Sequence, residues 1–349
     1  MNITQTEFGT IEGQPVSRYT LKNGNGIEVD VTNYGGIIMD IRVPDRNGTV
    51  GSVTLGFESP FHYATSNYLQ NCPYLGAVVG RYANRIAHGT FTIDGVNYQL
   101  KCNNGPNHLH GGIMGFHAQV WSSVIFQSKE RVGVVMEYTS AHLEEGYPGQ
   151  LTVTVSYFIT PENEFVVEYH AVTDRSTHLN LTNHTYFNLN GGQRDVLDHE
   201  MQFFSQQVTV NNADGIPTGE IGNVTESSLD FTSSRKIGEH IFEVDGLGYD
   251  HNFIVNGEPG DLRIAAIVKE PLSGRRMEMY TTEPGFQFYT GNFLDGSYER
   301  DGIRFDKYHG FCLEAQHYPD SPNHPEFPST LLEPGDVYRQ TTVYKFGIQ

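Results

Sequence analysis

Residues 150–159 read QLTVTVSYFI, in which Leu151, Val153, Val155, Tyr157 and Ile159 alternate with Thr152, Thr154 and Ser156. Successive side chains of a strand point to opposite faces, so this period of two predicts a strand with one face buried and the other wet. Residues 164–171 repeat the pattern through Phe165, Val167, Tyr169 and Ala171, and the residues from Pro161 to Asn163 supply the turn between the two. Residues 89–100, GTFTIDGVNYQL, predict a second hairpin. Phe91 and Ile93 lead into Asp94-Gly95, a dipeptide that tolerates the positive φ angles of a type I′ turn, and Val96, Tyr98 and Leu100 lead out.

Further strands are expected over 27–31, 132–138, 262–268, 277–281, 286–290 and 337–346, each bounded by Gly, Pro, Asn or Asp. The helical spacing i, i+3, i+4, i+7 is nearly missing, and only residues 60–69 read as a short helix. With 38 glycines and 12% aromatic residues punctuating strand after strand, the expected class is all-β, a large antiparallel sandwich with few short helices. No repeat, low-complexity run or linker divides the chain, so residues 1–349 are expected to form a single domain.

Charge and cysteine usage narrow the partners. Lys and Arg number 22 against 41 Asp and Glu, and a net charge of −19 repels nucleic acid and anionic membranes, which leaves an uncharged small molecule as the expected ligand. The three cysteines, Cys72, Cys102 and Cys312, lack CxxC spacing and suggest neither a disulfide framework nor a zinc ribbon. The amino terminus has no basic segment followed by an apolar run, and nowhere do the ~18 apolar residues of a membrane span occur, so a cytoplasmic location is expected.

GxGxxG opening a βαβ unit, GxxxxGK[ST], GxSxG and HExxH are all missing, which points to chemistry done by ordinary acids and bases with no cofactor. His108 and His110, with Asp250 beside His251, are the one metal-like grouping, but the HLHGG turn at 108–112 gives the two rings no reason to converge. No metal is expected, and no obligatory protein partner.

Four segments are unusually polar for their apolar surroundings: 80–86 (GRYANRI), 107–112 (NHLHGG), 180–189 (NLTNHTYFNL) and 311–320 (FCLEAQHYPD). His184 lies among Leu179, Leu181 and Phe187, and Glu314 follows Phe311 and Leu313; a polar group in such a place is either bonded or working. With Asn84, Arg85, His110, Asp250 and Gln287 also beside apolar strands, the chain offers many hydrogen-bonding groups and little net local charge, which suits a neutral polyhydroxylated ligand. Taken singly, His184 reads rather as a satisfied core histidine and Glu314 as an ion-paired carboxylate, with Arg85 as the ion-pair partner of Glu314 or Asp250.

GAVVGRYANRIAHGTFTIDG, NHLHGGIMGFHAQVW, EEGYPGQLTVTVSY, LNLTNHTYFNLNG, GYDHNF, TTEPGFQFYTGNFLDG and FCLEAQHYPDSPNHPEFPSTLLEPGDVY together resemble the galactose mutarotase (aldose 1-epimerase) family, in family order from about residue 30 onward. The resemblance implies a galactose-mutarotase-like supersandwich, a two-layer antiparallel β fold with the sugar in an open groove. It implies that Glu314 is the catalytic base and His184 the catalytic acid. Asn84, Arg85, His110, Asp250 and Gln287, with Tyr186 as a weaker addition, match sugar-binding positions. The implied activity interconverts the α and β anomers of a free hexose such as galactose or glucose. A non-catalytic sugar-binding protein on the same fold, a glycoside hydrolase or lyase, and a hexose 6-phosphate epimerase are the alternatives. Phe288, Tyr249 and Trp121 are candidates for the aromatic wall of the groove, although each also reads as simple core. A pH optimum is expected where an ionised Glu314 and a protonated His184 coexist, with burial shifting both upward from values near ~4.3 and ~6.5.

Overall fold

The computed structural model describes residues 1–244 and 246–349. The alternating segments are strands, and they pair with each other. Leu151–Ile159 pairs antiparallel with Glu164–Thr173, so that Val153 faces Ala171, Val155 faces Tyr169, Tyr157 faces Val167 and Ile159 faces Phe165. All of these residues are buried, which is why the alternation was visible in the sequence. The Asp-Gly hairpin pairs Thr90–Ile93 with Val96–Gln99, and Asp94 and Gly95 take φ values of 52° and 77°. The region 60–69 holds two short helices, Pro60–Tyr63 and Ser66–Gln70, each started by a side-chain cap from Ser59 or Thr65.

The largest sheet has nine strands, in the order Ser122–Gln127, Val132–Ser140, Leu151–Ile159, Glu164–Thr173, Tyr338–Ile348, Arg275–Thr281, Arg263–Lys269, Glu200–Phe203 and Arg235–Lys236. A five-stranded sheet, in the order Pro217–Asn223, Gln207–Asn211, Asp250–Ile254, Gly285–Tyr289 and Cys312–Gln316, packs against it. The contact between the layers is aromatic. Phe203 of the larger sheet meets Phe253, Phe286 and Phe288 of the smaller one at centroid distances of 4.8, 5.1 and 5.1 Å, mostly edge to face. A five-stranded meander, Asn2–Ile11 through Val50–Ser52, adds its Tyr19, Leu21, Val29 and Ile41 to the same core.

The register of the smaller sheet positions everything that follows. Asn252, Gln287 and Glu314 lie opposite one another in one row across three adjacent strands, and Asp250, Tyr289 and Cys312 form the next row. Residues two apart share a face, so both rows point away from the core, while Phe253, Phe286, Phe288, Leu313 and Ala315 point into it. Trp121, Tyr249 and Phe288 are all core residues, at 1%, 0% and 0% exposure. The sequence candidates for the aromatic wall are therefore corrected: Phe288 has the wrong parity, and its neighbour Tyr289 faces outward. Cys72, Cys102 and Cys312 are free thiols. Among the described residues no helix is long and apolar enough to cross a membrane.

Candidate active site

The outer face of the smaller sheet forms the floor of a cleft of about 200 Å³, small beside pockets for drug-sized ligands. Glu314 comes from Cys312–Gln316 and Asp250 from Asp250–Ile254. The remaining walls come from loops held down by short pairings. Val78–Val79 pairs with Thr182–Asn183, and the peptide N–H of His184 donates to the Ala77 carbonyl, which sets His184 beside the floor. Arg85–Ile86 pairs with His108–Leu109, and the Asn84 and His110 backbones are linked by a further hydrogen bond of 3.1 Å. Gly111 is required at this crossing. Its φ is +80°, and a Cβ there would land on the Gly80 carbonyl oxygen.

Two buried side chains anchor these loops; both lie in the polar segments, but neither was singled out from the sequence. Asn180 donates to the carbonyls of Ala83 and His317 and accepts from the His317 N–H at 2.9 Å, tying the 80–86, 180–189 and 311–320 segments to one amide. Arg81, 2% exposed, donates to Ser140 Oγ and to the carbonyls of Ser140, Ala141 and Pro148.

Of the residues singled out from the sequence, Glu314, His184, Asn84, Arg85, His110, Tyr186 and Asp250 all line this one cleft. Gln287 sits just behind. Its Nε2 donates to Asp250 Oδ1 at 2.6 Å, and its buried Oε1 has no partner among the described residues. Tyr186 lines the cleft with its ring, while its hydroxyl donates to the Pro73 carbonyl. Arg85 forms no ion pair with Glu314 or Asp250 among the described residues; its Nε donates to Asn104 Oδ1 at 3.1 Å. Asn71, Cys72, Tyr74, Asn104, Tyr289, Phe293 and Leu294 are also in the lining. Tyr289 was within reach of sequence reasoning, because it lies two residues from Gln287; the others come from loops without periodicity.

His184 Nε2 stands 3.7 Å from Glu314 Oε1, with side chains 6% and 2% exposed, and Glu314 Oε2 is buried without a partner among the described residues. Burial pushes the Glu314 carboxyl well above its usual range, with Asp250 adding to the rise and Arg85 opposing it. Burial pulls His184 down to about 4, against upward pulls from a backbone hydrogen bond and Asp250. The expectation that burial raises both is corrected for His184. Desolvation disfavours whichever form is charged, which is the protonated form of an imidazole and the ionised form of a carboxyl.

His110, His184 and Glu314 bring potential ligand atoms within 4.8 Å of one another. His110 Nδ1, however, accepts the Asn84 peptide N–H at 3.2 Å, so the ring proton of neutral His110 sits on Nε2. A metal-binding imidazole normally uses its second nitrogen as a donor, and this ring is set the opposite way, as a hydrogen-bond donor toward the cleft. His108 and His110 do not converge. His108 Nδ1 lies 2.7 Å from the Lys101 carbonyl and its Nε2 2.8 Å from the Tyr147 hydroxyl, away from the cleft.

A two-layer antiparallel sandwich with a carboxyl–imidazole pair on its outer sheet, ringed by neutral and paired donors, defines a β-sandwich enzyme of the acid–base type. The sequence profile of aldose 1-epimerases matches residues 17–345, and the chain belongs to that family. It is 42% identical to a galactose mutarotase from Bos taurus over 352 residues, covering 100% of this chain and 99% of the relative. It is 36% identical to an aldose 1-epimerase from Escherichia coli K12, covering 96% of each. A crystal structure of a galactose 1-epimerase from Lactobacillus acidophilus superposes with a TM-score of 0.86 at 26% identity, covering 99% of both chains. The fold is that of the galactose mutarotases.

Proposed function

We infer that this protein is an aldose 1-epimerase that interconverts the α and β anomers of free hexoses by opening and reclosing the cyclic hemiacetal. The observation that carries the reading is the Glu314–His184 pair, 3.7 Å apart on the floor of a cleft of monosaccharide scale. Ring opening removes the proton on O1 and delivers one to O5 as the C1–O5 bond breaks. In our reading Glu314, as carboxylate, takes the first, and His184, as imidazolium, supplies the second; each contributes on the order of 10²–10⁴ in rate when placed within reach. Rotation about C1–C2 then presents the other face of the aldehyde, and O5 closes on it with the proton transfers reversed, so both groups return to their starting states.

The pair carries one proton in either arrangement, neutral acid with neutral base or carboxylate with imidazolium. Burial favours the neutral arrangement in the empty cleft and Arg85 favours the carboxylate, while Asp250 favours the imidazolium but opposes the carboxylate. Arg85 and the Nε2–H of His110 donate to sugar oxygens and Asp250 accepts from a hydroxyl, with Asn84 and Gln287 fixing this frame. The expected substrate is galactose or glucose, in the cytoplasm.

Polarimetry on freshly dissolved α-D-galactose and α-D-glucose tests the reading. Wild-type protein accelerates relaxation to the anomeric equilibrium, and Glu314→Gln and His184→Ala do not. Relaxation no faster than in buffer with wild-type protein sinks the assignment. Retained binding and unchanged acceleration in Glu314→Gln would remove Glu314 from the chemistry.

A further inference from the structure

His184 faces a conflict. As the acid it must carry a proton it can give away, yet burial draws it toward the neutral form. The groups around it come from every side of the cleft. Glu314 lies 3.7 Å away, and the Cys312 sulfur lies 3.5 Å from Nδ1 on the same strand. Burial pushes that thiol far above its usual range, so it stays protonated. His110 approaches edge-on at 5.2 Å and Tyr289 edge-on at 6.2 Å, and the Asp250 carboxylate acts on the ring from the adjoining strands.

Two tyrosines are placed differently. Tyr186 lies at 5.0 Å and Tyr74 at 6.0 Å, with planes only 28° and 27° from that of the imidazole. Their loops are joined, because the Tyr186 hydroxyl donates to the carbonyl of Pro73 at 2.9 Å. Tyr74 is locked from its other sides by His110 at 4.7 Å and by the edge of His117 at 4.8 Å. It also holds φ at +58°, a backbone conformation a bulky residue keeps only when its surroundings impose it. Burial pushes both phenols up, so both rings stay neutral and offer electron-rich faces. Such faces attract a cation, most strongly where water is excluded.

We propose that Tyr74 and Tyr186 are positioning residues that orient His184 and favour its imidazolium during proton delivery to the ring oxygen, acting through their ring faces and not their hydroxyls. The proposal rests on the mutarotase reading above. The test is the pH dependence of kcat and KM by polarimetry for wild type, Tyr74→Phe and Tyr74→Leu, with the His184 imidazole followed by ¹⁵N NMR titration. The alkaline limb of kcat reports loss of the proton from the acid. In Tyr74→Leu that limb moves about half a unit to one unit toward lower pH and kcat at neutral pH falls about three- to tenfold, a larger change than in KM. Tyr74→Phe keeps the ring and restores the wild-type profile.

A Tyr74→Phe protein as impaired as Tyr74→Leu, or a Tyr74→Leu loss confined to KM with the limb in place, overturns the proposal. If Tyr74→Leu does not fold, Tyr74→Met, which also removes the ring, reads the same shift against Tyr74→Phe with the same two overturning results. Inactive wild-type protein would instead sink the mutarotase reading, so the two failures are distinguishable.

Discussion

Every residue of Gly285–Tyr289 and of Cys312–Gln316 is buried, yet the two faces of these strands have opposite compositions. The inner face is Phe286, Phe288, Leu313 and Ala315, packed on the larger sheet, where each large apolar side chain contributes about 1.5–3 kcal/mol of transfer free energy. The outer face is Gln287, Tyr289, Cys312, Glu314 and Gln316, joined by Asp250 and Asn252. It holds buried atoms without partners among the described residues: Glu314 Oε2, Gln287 Oε1, and both amide atoms of Asn252 and of Gln316. Unpaired buried polar atoms cost stability, so this face is not built for stability. Low exposure by itself therefore does not tell core from site; hydrogen-bonding capacity left unspent does.

Breaking the outer face should cost activity and spare the fold. Glu314→Gln is expected to lower kcat on the order of 10²–10⁴-fold with no loss of thermal midpoint, since burial disfavours the ionised form of the carboxyl that the neutral amide replaces. Breaking the inner face should do the reverse. Phe286→Ala, one residue from Gln287, is expected to cost about 3–5 kcal/mol in denaturant unfolding, with kcat of the folded fraction within about threefold of wild type. A kcat loss in Phe286→Ala as deep as in Glu314→Gln would show that the faces are not separable.

Acid should weaken the fold through its buried imidazoles. His117, His178, His184 and His199 are each drawn down to about 4 by burial, while unfolded chains bind these protons near ~6.5. The unfolded state therefore binds more protons below that value, and stability is lost as pH falls from about 6.5 toward 4. Glu314 works with the opposite sign, since its raised value removes stability as pH rises through it. Denaturant midpoints compared at pH 7 and pH 5 should show a net drop, and a rise would mean the histidines are not buried neutral.

Smaller effects sharpen the picture at the rim. Asn104→Leu removes the acceptor for Arg85 Nε and should raise KM several-fold with kcat little changed, while Asn104→Asp, which keeps the acceptor, should not. Treatment with EDTA should leave activity unchanged, because the His110 tautomer is set for donation; lost activity that zinc restores would reverse that conclusion.

The strands were legible wherever one side was wet or bounded by a turn, as in Leu151–Ile159, because alternation records burial on one face only. Gly285–Tyr289 is buried on both faces, so its pattern left Phe288 looking as eligible for the cleft as Gln287. Only the pairing register separated them. Tyr74 and Asn104 left no trace, because they lie on loops whose place is decided by distant partners such as Tyr186, through Pro73, and Arg85.

The sequence by itself determined the all-β class, the family, and the groups available for chemistry, since strand periodicity, motif order and residue type are local properties that survive without coordinates. The tertiary structure decided that Glu314 and His184, 130 positions apart in the chain, meet at 3.7 Å. It also decided which tautomer His110 holds and which aromatic rings face the imidazole. These depend on sheet register and on hydrogen bonds between segments far apart in the chain, and the same depth of burial moves an acid and a base in opposite directions.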